Sequence, residues 1–145
     1  MIKEKRRKAR KRKKIAIALL IILLLLAAAA LIVIKVFRVE KVEVEGNELY
    51  DAKVIEKAVL NDKYSWNSLY VFLKYRFVDT KKVPFVDTME ITLKDPQTLH
   101  IKVYEKGIMG YLYISSIDEN AYFDKDGLVV ETSSKVIDGT PQIIG

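Results

Sequence analysis

The chain opens with two blocks of opposite character. Residues 3–14 read KEKRRKARKRKK, and residues 15–34 read IAIALLIILLLLAAAALIVI, twenty consecutive apolar positions without a charge, glycine or proline. At ~1.5 Å rise per residue a helix of that length covers about 30 Å, the thickness of a bilayer core. A soluble amphipathic helix interrupts its apolar stripe with polar positions, and none occur here. A chain this short has no core that would surround such a helix, so the pattern predicts a membrane span whose lipid-facing positions include Ile15, Leu19, Leu23, Leu26, Leu31 and Ile34. A cleavable signal is the competing reading, since Ala27–Ala30 offers an A-x-A site. The apolar run continues through Leu31–Ile34 without a helix breaker, which favours an uncleaved anchor.

Beyond the span the periodicity changes. Phe37–Glu45 alternates apolar and charged positions with one break in phase at Glu40–Lys41, the pattern of a half-buried strand, and Gly46-Asn47 ends it with a turn. Leu49–Leu60 then places Val54, Ile55, Ala58 and Val59 on one helical face, with Asp51 as N-cap. A second helical pattern covers Trp66–Phe77, with Trp66, Leu69, Tyr70, Leu73 and Phe77 at helical spacing and Ser65 as the expected cap. After the polar connector Thr80–Pro84, Phe85–Lys94 and Leu99–Glu105 both alternate, around Asp95-Pro96-Gln97-Thr98, and predict a hairpin. Met89, Ile91 and Leu93 face inward on the first strand, and Leu99, Ile101 and Val103 on the second. Ile108–Ile114 is a further strand, and Ala121–Phe123 with Leu128–Glu131 forms another hairpin around Asp124-Lys125-Asp126-Gly127. The order is β-α-α-β-β followed by additional strands, an α+β architecture in which two short helices cover one face of a small sheet. Val136–Gly145 is expected to be disordered or to need further residues to pair.

Charge sharpens this picture. The chain has 145 residues and a net charge of +6, but residues 3–14 alone carry +9 and residues 15–145 carry −3. The basic cluster, Arg6, Arg7, Lys8, Arg10, Lys11 and Arg12 among others, lies directly before the span, while only Lys35 and Arg38 follow it closely. The positive-inside rule then keeps the N-terminus cytoplasmic and carries the remainder across the membrane. Basic residues this close to a bilayer attract anionic headgroups, at about 1 kcal/mol each. A nucleic-acid reading of the cluster fails for want of interleaved aromatics and because it abuts the apolar run.

Candidate chemistry is sparse. There is no cysteine and a single histidine, so disulfides, thiolate nucleophiles and His-cluster metal sites are excluded. His100 sits mid-strand, on the face opposite Leu99 and Ile101, where a solvent-facing role is expected. Asp124-Lys125-Asp126-Gly127 shares D-x-D-G with calcium loops, but the twelfth position is Lys135 rather than glutamate, so a hairpin turn is expected. Ser115-Ser116 and Ser133-Ser134 lack a nucleophile-elbow context. Trp66 and the eight tyrosines read as packing residues rather than a sugar platform. No enzyme activity, cofactor, metal or small-molecule substrate is expected. Strand edges are the more promising surface, because an unpaired edge accepts a partner strand.

Several of these segments resemble one family. Phe37–Asn47, ending in Gly46-Asn47, is similar to the opening strand of a POTRA domain. Val83-Pro84-Phe85-Val86 through Asp95-Pro96-Gln97-Thr98-Leu99 to Glu105 is similar to its "P-x-V…P-x-T-L-x-I-x-V-x-E" hairpin. Tyr122 through Asp124 and Gly127 to Val129 resembles the following "Y-x-D-x-x-G-x-V" hairpin, and Pro141–Gly145 its "P-x-I-x-G" element. With the basic tail and single anchor, the whole chain resembles the FtsQ/DivIB family of bacterial cell-division proteins. The resemblance implies a basic cytoplasmic tail (1–14), a transmembrane helix (15–36), a POTRA-like domain (37–105) and a partial β domain (106–145). It implies a non-enzymatic divisome scaffold at the septum, with FtsL-like and FtsB/DivIC-like partners. Its structural motif positions are Gly46, Asn47, Pro84, Asp95, Pro96, Glu105, Asp124 and Gly127. Two departures are visible: Glu105-Lys106-Gly107-Ile108 lacks the proline of the family's E-R-x-P-x-A, and the chain stops at the P-x-I-x-G element. The resemblance then implies a truncated distal β domain, so no partner-binding position is transferred. A POTRA-type, chaperone-like module for exported polypeptides is the alternative.

Overall fold

The computed structural model describes residues 2–80 and 82–145, so Lys81 of the polar connector lies outside the described residues. The protein is α+β, with a long N-terminal apolar helix and two small sheets. Helix α1 (Ile2–Val36) is continuous, so the basic cluster and the apolar run share one rod. Its residues are mostly strong helix formers, and no glycine or proline interrupts them.

The first sheet holds β1 (Lys41–Glu45), β2 (Val86–Asp95) and β3 (Thr98–Glu105), in the order β1-β3-β2. β3 is central, parallel to β1 and antiparallel to β2. Register explains the core. Leu99 sits between Val42 and Leu93, Ile101 between Val44 and Ile91, and Val103 beside Met89. These rows line one face, and α2 (Ala52–Val59) and α3 (Ser68–Phe77) cover it through Ile55, Val59 and Val71, all fully buried. The opposite face carries Glu43, His100 and Thr92 in one row and Glu45, Lys102 and Glu90 in the next. Period-two alternation therefore holds along Val42–Val44, Met89–Leu93 and Leu99–Val103, while the register shift between Val86 and Thr88 brings Val86 into the same core out of phase.

Several expectations need correction. The phase break at Glu40–Lys41 separates two pairings. Arg38 bridges Asn67, and β1 begins only at Lys41, where the Gln97 carbonyl accepts both the Glu40 and Lys41 N–H groups. Asp51 occupies the N-cap of α2 but makes no side-chain capping bond, and Val54 faces solvent. α3 starts at Ser68 rather than Trp66, and its cap is Asn67, not Ser65. The stripe of Trp66, Leu73 and Phe77 is exposed, and Ser68 and Val71 are the buried positions. The helix reads SLYVFLKYRF, apolar nearly all round, so periodicity does not single out its buried face. Ser68 is buried without penalty because its hydroxyl donates to the Pro96 carbonyl.

The second sheet is an antiparallel meander of β4 (Gly110–Ile114), β5 (Glu119–Phe123) and β6 (Val129–Ser133). The C-terminal segment is not unsupported. Tyr111 donates its N–H to the Pro141 carbonyl at 3.0 Å and accepts from Ile143 N–H at 2.9 Å, so the segment bridges the outer edge of β4 at Tyr111. A second core gathers Phe85, Tyr111 and Tyr122, with Phe85 edge-on to Tyr122 at 4.8 Å between centroids. Phe85 is not a strand residue. It adopts φ 63°, a rare conformation for a bulky side chain, and this turns its ring into the second core while Val86 begins β2 in the first.

Gly46 follows β1 with φ 81°, and a Cβ there would overlap the Val103 carbonyl oxygen. Gly127 has φ 77° but open space around it. Gly46→Ala is therefore expected to destabilise the protein by ~2 kcal/mol or more, and Gly127→Ala by only about 1 kcal/mol. Chemical denaturation of the full chain in detergent, followed by tryptophan emission, checks the difference.

Candidate membrane anchor and interaction surface

α1 is long and apolar enough to cross a membrane. Its most apolar 18-residue stretch has a mean hydropathy of 3.5, and none of that stretch is buried. Ile15, Leu19, Leu23, Leu26, Leu31 and Ile34 are all more than half exposed, so no other described residue shields them. One turn after another of the preceding segment presents Arg6, Arg7, Lys8, Arg10, Lys11 and Arg12 to solvent on the same helix.

α1 is bonded to the folded module at its C-terminal end. The last carbonyls of a helix lack intrahelical partners. Here the Asn67 side chain donates to the Val33 carbonyl at 2.8 Å, and Ser68 N–H donates to the Phe37 carbonyl at 3.1 Å. Val39 N–H donates to the Trp66 carbonyl at 2.8 Å. The same Asn67 side chain accepts from Tyr70 N–H at 2.9 Å, capping α3. One buried carboxamide thus terminates one helix and starts another.

The loop that carries Asn67 is itself held by Asp62. The Asp62 carboxylate accepts from Lys74 Nζ at 2.7 Å, Tyr64 N–H and Tyr70 Oη at 2.9 Å, and Ser65 Oγ at 3.0 Å. The Lys74 hydrogen bond is the largest influence on its carboxyl, which lies well below the ordinary 3.8. Ser65, expected as a cap, serves this loop instead.

A second cluster joins the two sheets. Glu131 accepts from Lys106 Nζ at 3.0 Å and from Phe85 N–H at 3.2 Å, while Lys106 Nζ also donates to the Val130 carbonyl at 2.8 Å. Lys106 N–H donates to the Phe85 carbonyl at 2.8 Å. Burial pushes the Glu131 carboxyl up, and the Lys106 ammonium with the Phe85 N–H outweighs it, leaving the group below its ordinary 4.5.

Each motif position singled out in the sequence has a local task. Asn47 donates to the Tyr50 carbonyl at 2.7 Å, and the Pro84 carbonyl accepts from Tyr50 Oη at 2.9 Å. Asp95 accepts from Gln97 N–H at 2.8 Å in the β2–β3 turn, and the Pro96 carbonyl accepts from Ser68. The Glu105 carboxylate receives Leu49 N–H through both oxygens, at 3.0 and 2.9 Å. Asp124 accepts from Asp126 and Leu128 N–H at 2.9 and 3.0 Å, which closes the turn around Gly127. His100 lies on the solvated face, 3.2 Å from Glu45. On that face Glu43 bonds Lys41 at 2.7 Å and Lys94 at 2.9 Å, which brings its carboxyl down to about 2.

Strand edges are the remaining surface. Among the described residues the outer edges of β1, β2 and β6 pair with no other strand. β2 is the longest, its ladder is irregular near both ends, and it carries Asp87, Glu90, Lys94 and Asp95. Irregular ends and charges of this kind restrict which strands pair with an edge. A groove of ≈ 260 Å³ runs beside its start, lined by Tyr75, Val78, Val83, Val86 and Met89 and equally by Asp79, Thr80, Lys82, Asp87 and Thr88. No protein-family model, curated protein or solved structure matches the chain.

Two outcomes follow. Asn67→Ala should cost about 1–2 kcal/mol, the usual effect of losing a cap. Asn67→Asp should keep the cap of α3 but lose the donor to Val33, so that amide exchange rises near Phe37–Val39 while α3 stays protected. The second concerns acid. Asp62 and Glu131 are depressed in the folded protein, so their stabilisation is complete above their ordinary values of 3.8 and 4.5 and is lost as pH falls through the lower folded values. Denaturation midpoints should therefore fall with pH below about 4.5, and Glu131→Gln should flatten that dependence.

Proposed function

We propose that the chain is a non-enzymatic, single-pass scaffold of the bacterial cell membrane, holding a POTRA-type module against other proteins of the division complex during septum formation. The observation that carries this reading is the direct bonding of an exposed apolar helix to a mixed β-α-α-β-β sheet with unpaired outer edges. The basic cluster before the span supports a cytoplasmic N-terminus, anionic headgroups around Arg6–Arg12 and an extracytoplasmic module. The assignment to division rests on the motif resemblance to the FtsQ/DivIB family, with FtsL-like and FtsB/DivIC-like proteins as partners. No nucleic acid or small-molecule substrate enters this reading. Partner strands would add to the sheet edges, with backbone hydrogen bonds giving affinity and alternate side chains giving selectivity.

A tagged full-length chain, expressed in its own bacterium, provides the test. Septal fluorescence and recovery of FtsL-like and DivIC-like proteins after cross-linking are the expected result. Uniform membrane fluorescence without division proteins would overturn the assignment, and recovery of exported, unfolded polypeptides would replace it with a chaperone-like role.

A further inference from the structure

The loop between α2 and α3 lies where the membrane surface must be if α1 spans the bilayer, the reading on which this inference rests. Val33 belongs to the apolar run, and its carbonyl receives the Asn67 side chain at 2.8 Å. Val39, a few residues later, donates to the Trp66 carbonyl at 2.8 Å. Lys35 and Arg38 are the first charges after the span, so residues 33–39 cross from hydrocarbon to headgroups. Trp66 is consequently pinned at that level.

The exposed side chains of the loop suit the position. Tyr64 and Trp66 are 51% and 44% exposed, although both are large aromatics. Aromatic rings with one polar edge concentrate at the membrane–water interface. Lys63 holds its ammonium 4.8 Å from the Tyr64 ring centroid. The Asp62 cluster and the edge-on contact of Tyr64 with Tyr70, at 5.6 Å, fix the loop before any lipid arrives. Little conformational entropy is then lost on contact. Glu40 and Asp95 lie at the same end of the sheet, near Gln97. Charges of both signs therefore stand in this region, and aromatic burial at the boundary is the attraction that does not depend on lipid charge.

We propose that the Lys63–Trp66 loop is a foot resting on the bilayer that α1 crosses, with Tyr64 and Trp66 at the headgroup–acyl boundary and Lys63 at lipid phosphate. The foot sets the tilt of the module on the membrane.

Trp66 is the only tryptophan, so the unmodified chain reports on itself. The full-length protein is reconstituted into phosphatidylcholine vesicles whose acyl chains carry bromine either near the glycerol or near the terminal methyl. Trp66 emission should be quenched, and more strongly by bromine near the glycerol. Two reporters in a Trp66→Phe background separate the possible failures. Leu23→Trp should be quenched most by bromine near the methyl end, and Ile144→Trp, in the exposed C-terminal segment beside the second sheet, should not be quenched. An unquenched Trp66 beside a quenched Leu23→Trp reporter would overturn the foot and leave the span intact. An unquenched Leu23→Trp reporter would remove the span and the foot together. Equal quenching of Trp66 and the Ile144→Trp reporter would show unspecific adhesion and overturn the foot.

Discussion

The Asn67 carboxamide is the constraint on which the arrangement of this molecule depends. A long helix such as α1 ends with unpaired carbonyls, and a helix beginning in the folded module starts with unpaired N–H groups. Ordinarily these needs are met separately, by water or by different residues. Here one side chain donates to Val33 and accepts from Tyr70, so the two helix ends must sit within the span of a single carboxamide. The anchor and the module are thereby bonded to each other as well as joined by chain. Ser68 extends the joint, since its backbone binds Phe37 and its hydroxyl binds Pro96 at the β2–β3 turn.

A comparable joint holds the second sheet to the first. Phe85 stands between the two cores, with its ring against Tyr122 and its neighbour Val86 in the other core. Its left-handed backbone is costly, and the surroundings hold it on both sides. Glu131 takes its N–H, and Lys106 N–H takes its carbonyl. Lys106 and Glu131 also pair with each other, so the same two residues fix the strained turn and the distance between the sheets. An isolated exposed ion pair contributes little. This pair matters because each partner also satisfies backbone groups at the junction.

Legibility in the sequence followed the physics of each element. The strands of the first sheet were readable because one face meets the helices and the other meets water, so alternation is strict in Leu99–Val103 and Val42–Val44. The apolar run was readable as one long helix because twenty such residues without glycine or proline leave nothing to interrupt it. α3 misled because Trp66, Leu73 and Phe77 form as good a stripe as the residues that are actually buried. Its cap misled for the same reason, since extending the stripe to Trp66 favoured Ser65 over Asn67, although Asn is an equally good N-cap. The positive φ of Phe85 left no signal, because such backbone is normally marked by glycine or asparagine. The pairing of Pro141–Ile143 with Tyr111 depends on contacts about thirty residues apart in sequence, which local pattern does not encode.

Taken together, the two joints bear on how an edge strand would be used. β1 and β3 both begin near the end of α1, at Lys41 and Thr98, and β3 ends at Glu105, next to Lys106, which bonds the second sheet. The first sheet therefore runs from the anchor toward the second sheet, and β2 lies antiparallel along its outer side. A flexible tether would let that edge sample every height and orientation above a membrane, and a partner would have to restrict it on binding. Bonding through Asn67 removes much of that freedom beforehand. In the scaffold reading proposed above, a span already confines partners to the plane of the membrane, and a fixed height leaves less ordering cost for the contact itself. In that reading the rigidity of this joint, more than any chemistry on the module's surface, is what would hold the edge ready for another protein.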